Sequence, residues 1–215
     1  MPVNNSTNST YEDLKKKIIS GVFSPSESLP EVELASQYKV SRSTVKKALL
    51  MLERENLVTI ELNKGAKVRS YSIAEVKEFL ELRGALEGFI AKLAVPAITQ
   101  EQVARMEDIL LSMKGHLNNH NLLEYSNGNR LFHGIIYEAC PNRTAVDMTM
   151  NLKNQMSKYN TKTILVPGRD AQSFSEHTAI LDAIKDRNSE LTEVLMRHHI
   201  ANVRRTFEDN FSLLF

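Results

Sequence analysis

Apolar residues recur every three or four positions in the first part of the chain, which is the spacing of helices that bury one face. A first helix from about residue 10 is predicted by the series Tyr11, Leu14, Ile18 and Val22. The segment "EVELASQY" predicts a short second helix. Ser41 stands where it can cap a third helix, which continues to about Glu55.

The periodicity changes after Asn56, which stands where a left-handed helix stop is expected. Two β-branched runs, "LVTIEL" and "AKVRS", flank the turn "NKG". Gly65 occupies the turn position that most needs a positive φ. Three helices followed by a β-hairpin are the element order of a winged helix-turn-helix.

Every later segment has helical spacing, and helices are expected at about 73–93, 99–113, 121–139, 142–160, 173–186 and 189–210. Thr99 and Ser173 each begin a capping-box spacing, and the second puts His177 in the first turn of its helix. The predicted fold is mostly α: an N-terminal winged helix-turn-helix followed by an all-α helical bundle. The predicted ranges are a disordered polar leader at 1–9, the winged helix-turn-helix domain at 10–70 and the all-helical domain at 71–215.

The composition is that of an ordinary globular protein, with 42% hydrophobic and 25% charged residues among 215. No apolar run approaches the roughly 18 residues that would span a bilayer, and the start "MPVNNSTNST" lacks the features of a secretory signal. With Cys140 as its only cysteine, the chain cannot form an internal disulfide, and together these features predict a cytoplasmic protein with no membrane partner. Charge is unevenly distributed along the chain. Residues 1–70 hold 11 Lys and Arg against 8 Asp and Glu, whereas the remainder holds 16 against 18. The excess of positive charge in the first part is in the direction expected for a nucleic-acid partner.

The third predicted helix exposes polar and basic residues near its amino-terminal end, namely Arg42, Ser43, Thr44, Lys46 and Lys47. A recognition helix needs this layout, because its first turns enter the major groove and present donors to base edges and phosphates. Lys64, Lys67 and Arg69 add positive charge to the hairpin. The alternative is ordinary solvated charge on a small helical domain, but the complete order of elements favours DNA binding.

The stretches "LPEVELASQYKVSRSTVKKALLMLERENLV" and "NKGAKV" resemble the GntR family of bacterial regulators. The resemblance implies that DNA is contacted by Ser41, Arg42, Ser43, Thr44 and Lys46, and at the wing tip by Lys64 and Gly65. Lys46 replaces the arginine that is common in the family. It keeps the charge but loses the planar fork that suits guanine, so we expect it to contact phosphate.

In the second predicted domain, three histidines share helix faces with apolar residues. Asn129 falls on the inward stripe of its helix with His133 beside it, and His177 and His199 lie on similar stripes of two further helices. Neutral imidazoles that converge in a helical bundle are frequent ligands of divalent metals. Three separately satisfied core histidines would show the same spacing, so the spacing alone leaves both interpretations open.

The segments "NRLFHGI", "EHTAILDAI" and "MRHHI" resemble three signatures of the FCD ligand-binding domain, which accompanies the FadR branch of the GntR family. The resemblance implies a divalent metal (zinc, nickel or manganese) held by Asn129, His133, His177 and His199, with His198 as the alternative to His199. Where the family has an aspartate, Asn129 offers a neutral carbonyl oxygen, which is a weaker partner for a divalent cation. We therefore expect weaker metal retention and a larger role for an anionic effector.

Arg83 shares a helix face with apolar residues, where a charge is costly unless it is paired. Glu87, four residues later, can form an ion pair with it. FCD members often have an arginine that matches "ELRGALE" and faces a carboxylate ligand, so the resemblance implies that Arg83 is an effector-binding residue. Both roles are compatible, with Glu87 orienting Arg83.

Together the residues and the resemblance predict a homodimeric bacterial transcription regulator, expected to repress, that binds a palindromic DNA operator. Its helical domain would bind a divalent metal and a small carboxylate effector that modulates operator binding. Two alternatives stay open: a metal-dependent hydrolase that uses the three histidines, and a DNA-binding sensor of the metal itself. A hydrolase would need a general base, and its obvious candidate, Glu176, is better used in the helix cap, so we expect no enzymatic activity.

Overall fold

A computed structural model describes residues 5–62, 64–156 and 162–211. The chain divides into two compact units: Met1–Ser72 with Asn154–Lys158, and Ile73–Lys153 with Tyr159–Phe215. We call them the amino-terminal unit and the carboxy-terminal unit. None of the described helices combines the length and the apolar composition that crossing a membrane requires.

The amino-terminal unit is a winged helix-turn-helix, as predicted. Its helices are α1 (Asn5–Ile19), α2 (Glu31–Tyr38) and α3 (Arg42–Arg54), and its strands are β1 (Ser28–Leu29), β2 (Val58–Glu61) and β3 (Gly65–Val68). The strands form an antiparallel sheet in the order β1-β3-β2. The core of the unit includes Leu14, Leu29, Val45, Leu49, Leu52 and Val58.

Local signals at the ends of these elements are confirmed. Oγ of Ser41 accepts a hydrogen bond from the backbone N–H of Thr44 at 3.2 Å, which caps α3. Asn56 has a φ of 57°, and Gly65 at the hairpin turn has a φ of 81°. Positive φ is most accessible to glycine and, among other residues, to asparagine, so both positions suit their residues.

The start of the unit differs from the prediction in two places. Residues 5–9, which we expected in a disordered leader, are helical, and Oγ1 of Thr10 donates to the carbonyl of Ser6 at 2.8 Å inside α1. Residues 1–4 lie outside the described part of the chain. The strand β1 was missed because two residues next to Pro30 are too short a segment to show an alternating pattern.

The carboxy-terminal unit is helical, as predicted. Its helices are α4 (Ile73–Ala94), α5 (Gln100–Asn118), α6 (Leu122–Ala139), α7 (Arg143–Gln155, which belongs to this unit as far as Lys153), α8 (Arg169–Lys185) and α9 (Ser189–Asp209), with a 3-10 turn at Lys162–Leu165. The capping box at Thr99 is confirmed, since Thr99 and Gln102 exchange backbone-to-side-chain hydrogen bonds of 3.0 and 3.1 Å. Fully buried core residues include Ile90, Met106, Met113, Tyr125, Phe132 and Ile136.

The predicted capping box at Ser173 is wrong. Helix α8 begins at Arg169, after Gly168 at a φ of 80° in the left-handed region. Ser173 and Glu176 therefore lie inside the helix, and His177 lies near its middle. The consequence is that Glu176 is available for contacts with other helices.

Candidate functional site

Three histidines from three helices meet in the core of the carboxy-terminal unit. His133 lies on α6, His177 on α8 and His199 on α9, and all three are buried. Nε2 of His133 lies 3.2 Å from Nε2 of His177, and the ring centroid of His199 lies 5.3 and 4.6 Å from those of His133 and His177. One ring nitrogen of each histidine lies within 4.8 Å of the other two. The structure thus brings together three residues that spacing alone could not connect.

The packing of each helix carries its imidazole inward. Ile136, three residues after His133, and Ile180, three residues after His177, are both fully buried. Residues three or four apart share a helix face, so burial of the apolar side chains buries the histidines as well. The Phe132 ring packs edge-on against the His177 ring, with their centroids 4.9 Å apart.

A second layer of polar groups contacts the outer nitrogen of each imidazole. Nδ1 of His199 lies 2.6 Å from Oε2 of Glu176, and Nδ1 of His177 lies 3.4 Å from Oγ of Ser173. Nδ1 of His133 lies 3.0 Å from Oε2 of Glu87, although off the line that a hydrogen bond prefers. Carboxylates in this position hold an imidazole in one orientation and raise its basicity as a ligand. The Nε2 atoms are therefore the nitrogens left for a shared ligand.

The donor set fits a divalent metal. Two nitrogens bound to one tetrahedral zinc at about 2.05 Å lie roughly 3.3 Å apart, close to the 3.2 Å between Nε2 of His133 and Nε2 of His177. Burial lowers the pKa of His133 to about 4 and holds the pKa of His177 well below its ordinary value. Both imidazoles are therefore neutral at pH 7, which is the form that binds metals.

Arg83 and Glu87 form the ion pair that their spacing on α4 predicts, with Nε of Arg83 donating to Oε1 of Glu87. Tyr137 donates to Oε2 of Glu87 at 2.6 Å, and Nζ of Lys153 donates to the Tyr137 hydroxyl at 2.9 Å. Burial by itself raises the pKa of Glu87, but the charges of Arg83 and Lys153 hold this pKa well below its ordinary range. Glu87 is therefore an ionised carboxylate with no exposure to solvent.

Glu176 is part of the site, and the expectation that it serves the helix cap is wrong. Its Oε2 accepts from His199 and, at 2.9 Å, from Nη2 of Arg169, while its Oε1 accepts from Asn202 at 2.8 Å. Sequence reasoning missed this group because the capping-box spacing supplied a local explanation for the residue. The available signal was the spacing of Arg169, Ser173 and His177, which places all three on one face of α8.

The structure distinguishes His199 from His198 but leaves the role of Asn129 as a prediction. His198 is exposed while His199 is buried in the three-histidine group, so His199 is the member of that group. Asn129 lies on α6 one turn before His133 and is half-buried. Its role as a ligand stays a prediction.

The predicted DNA-contacting residues lie on α3 and on the hairpin of the amino-terminal unit. Ser41, Arg42, Ser43, Lys46, Lys64 and Gly65 are exposed and Thr44 is half-buried. The Arg42 guanidinium lies 3.7 Å from a carboxylate oxygen of Glu31, and Nζ of Lys64 lies 3.0 Å from one of Glu61. These are weak surface pairs that phosphate groups can displace.

Comparison with known proteins identifies the family. The model of bacterial regulatory proteins, gntR family, matches residues 6–68, and the FCD domain model matches residues 78–202. The chain belongs to the FCD-domain branch of the GntR regulators. It is therefore a DNA-binding transcriptional regulator and not an enzyme, which removes the hydrolase alternative.

Relatives of similar length support this assignment. The "HTH-type transcriptional repressor RspR" of Escherichia coli (strain K12) is 24% identical over 193 residues, which are 90% of this chain and 85% of that protein. The "Gluconate operon transcriptional repressor" of Bacillus subtilis (strain 168) is 27% identical over 204 residues, which are 92% of this chain and 83% of that protein. The solved structure of E. coli McbR/YncC has the same fold, with a TM-score of 0.73 at 22% identity, covering 98% of this GntR regulator and 97% of that chain.

Replacement of Glu87 by Gln should destabilise the carboxy-terminal unit. Arg83 would keep its buried charge without a compensating carboxylate, and such losses cost about 3–5 kcal/mol. Urea unfolding followed by helical circular dichroism measures the effect. The control is Glu81→Gln, which breaks an exposed pair with Arg204 and should cost less than about 1 kcal/mol. Equal unfolding midpoints for E87Q and E81Q would contradict the role given to Glu87.

Proposed function

We propose that this GntR regulator senses a small organic acid through a divalent metal held by His133, His177 and His199, and represses until the acid binds. The observation that carries the proposal is the convergence of three buried, neutral imidazoles on one point. Three nitrogens leave at least one coordination position open. An acid that enters this position changes the affinity of the regulator for its operator, because the two binding equilibria share one conformational equilibrium.

The charge of the centre favours an anionic effector. Neutral histidines leave the full charge of a divalent ion uncompensated, and Asn129 would add only a carbonyl oxygen where the family usually has a carboxylate. Zinc, nickel and manganese all accept such a donor set, with imidazole favouring the first two. An acid would supply both a further oxygen ligand and a negative charge that compensates the ion.

Arg83 is the proposed second contact for the effector. Its side chain is 8% exposed and pairs with Glu87, which also contacts His133. A cation held this close to a metal ligand attracts a carboxylate into the centre. The name of the B. subtilis relative ties that protein to a gluconate operon, and gluconate is such an acid.

The DNA-reading residues are proposed to be Ser41, Arg42, Ser43, Thr44 and Lys46 on α3, with Lys64 and Gly65 on the wing. A recognition helix with donors at its amino-terminal end suits base edges and phosphates. The regulator would act as a homodimer on a palindromic operator, because a two-fold protein matches a two-fold site. Because its operator is the DNA of a bacterial cell, the regulator would act in the cytoplasm.

A second candidate is a sensor of the metal itself. The three histidines form a ligand set without any acid, so metal binding alone could change the conformational equilibrium. In that case chelation without an acid changes operator affinity, and no acid adds to the effect.

Thermal denaturation tests the proposal with the full-length regulator, a panel of carboxylic acids, and zinc, nickel or manganese. We expect at least one acid to raise the melting temperature only when metal is present, because binding to the folded state adds to its stability. The same acid should lower affinity for an operator selected from random DNA. An absence of acid stabilisation in every metal state would refute the acid-sensing function.

Two neighbouring histidines provide matched variants for that experiment. His199→Asn should reduce the metal content and abolish the metal-dependent acid effect, whereas His198→Asn should retain both, because His198 is exposed. Metal content is measured by mass spectrometry of the purified proteins, and circular dichroism verifies their helical content. Equal metal content in H199N and H198N would contradict the three-histidine centre.

Asn129→Asp should tighten metal binding. A carboxylate adds a negative charge to the ligand set and binds a divalent cation more strongly than an amide oxygen does. Competition with a chromophoric chelator measures the affinity, and Asn151→Asp, an exposed position on α7, is the control. Unchanged or weaker metal affinity in N129D would refute the role given to Asn129.

Lys46→Gln should weaken DNA binding about equally for all sequences. Loss of one phosphate contact lowers the slope of log affinity against log salt by about 0.9. Fluorescence anisotropy at several salt concentrations measures the slope. Lys114→Gln, an exposed change in the carboxy-terminal unit, should leave it unaltered. A loss confined to one base position in K46Q would mean that Lys46 reads a base instead.

A further inference from the structure

Arg169, the first residue of α8, is a buried cation beside the three-histidine group. Its side chain is 3% exposed, and Nη2 donates to Oε2 of Glu176 at 2.9 Å. Nη1 is buried and has no acceptor among the described residues. A buried charged donor without an acceptor costs free energy, so its presence suggests a ligand that supplies one.

Glu176 links this guanidinium directly to the three-histidine group. Its Oε2 accepts from both Arg169 and His199, and its Oε1 is engaged by Asn202. Neither oxygen of Glu176 accepts from Nη1 in this structure, so the acceptor for Nη1 can come from a ligand.

The same order of groups occurs twice around the centre. In one series Arg83 pairs with Glu87, which contacts His133, and in the other Arg169 pairs with Glu176, which contacts His199. The difference is that only in the second series is a guanidinium nitrogen both buried and without an acceptor among the described residues.

The fixed charges around the three-histidine group also favour an additional anion, because the cations outnumber the carboxylates. Among the described residues that these contacts connect, Arg83, Lys153 and Arg169 are cations, whereas Glu87 and Glu176 are the carboxylates. The balance is one positive charge before any metal is added. A ligand with one carboxylate would leave most of the charge of a divalent metal uncompensated.

We infer that Arg169 is a binding point for an oxyanion through Nη1, and that the effector carries a second anionic group, a carboxylate or a phosphate, which this arginine receives. This inference rests on the proposed effector site and specifies the chemical class of the effector: an acid with two anionic groups. The guanidinium suits this role because its planar donors can hold Glu176 and an oxyanion at once.

Inorganic phosphate and acetate are suitable probes, because they present the two oxyanions without the rest of an effector. Isothermal calorimetry measures their binding to the full-length regulator as purified, and again after chelation once circular dichroism has verified that the helices persist. We expect at least one of the two anions to bind in both states, since Arg169 needs no metal. If phosphate binds more tightly than acetate, the effector is a phosphorylated acid. If acetate binds more tightly, the effector is a dicarboxylic acid.

Arg169→Lys is the test variant, and Arg130→Lys, the same change at an exposed position of α6, is its control. A lysine keeps the charge beside Glu176 but lacks the second planar arm, so R169K should bind the probe about tenfold more weakly or worse. R130K should bind it as the parent does. A folded R169K that binds as tightly as the parent, or a parent that binds neither anion, overturns the inference.

Metal content measured on the same samples separates this inference from the proposed function. If the parent retains a metal and responds to an acid while R169K binds the probes unchanged, only the role of Arg169 fails. If the parent holds no metal but binds phosphate through Arg169, the metal-dependent function fails and the oxyanion site stands.

Discussion

Two carboxylates hold the polar part of the helical interior together: Glu87, which is buried, and Glu176, which is half-buried. Glu87 contacts Arg83 and His133. Glu176 contacts Arg169 and His199. An ionised group inside a protein costs several kcal/mol unless an opposite charge and hydrogen bonds offset it. The arginines and the carboxylates therefore depend on one another, and the orientation of two of the three imidazoles depends on both.

This arrangement explains how an apolar core can contain a polar centre. The three histidines occupy inward positions of their helices and stay neutral because burial disfavours their charged form. The outer nitrogens of His177 and His199 have hydrogen-bond partners in Ser173 and Glu176, which lowers the cost of burying them. The centre thus offers nitrogen ligands without charge, while the charged residues around it, Lys153 included, carry one net positive charge. Under the proposed function, this is the physical coupling between metal and anion.

Local signals predicted most elements but failed where two explanations used the same residues. The segment "EVELASQY" coincides with α2, and Ser41 caps α3, because these short elements end at turns that the sequence marks clearly. Ser173 also looked like a cap, yet it lies inside α8, where its hydroxyl lies beside His177. Hydroxyl side chains serve caps and interior contacts equally well, so spacing cannot separate the two.

The sequence by itself determined the order of the helices and the hairpin, the family resemblance and the set of histidines that face inward. Only the tertiary structure decided that these histidines meet, that His199 belongs to the group while its neighbour His198 is exposed, and that Glu176 joins two helices. The reason is that periodicity defines which face of a helix is buried but not which other face it meets. Contacts between residues 44 positions apart, such as His133 and His177, follow from helix packing alone.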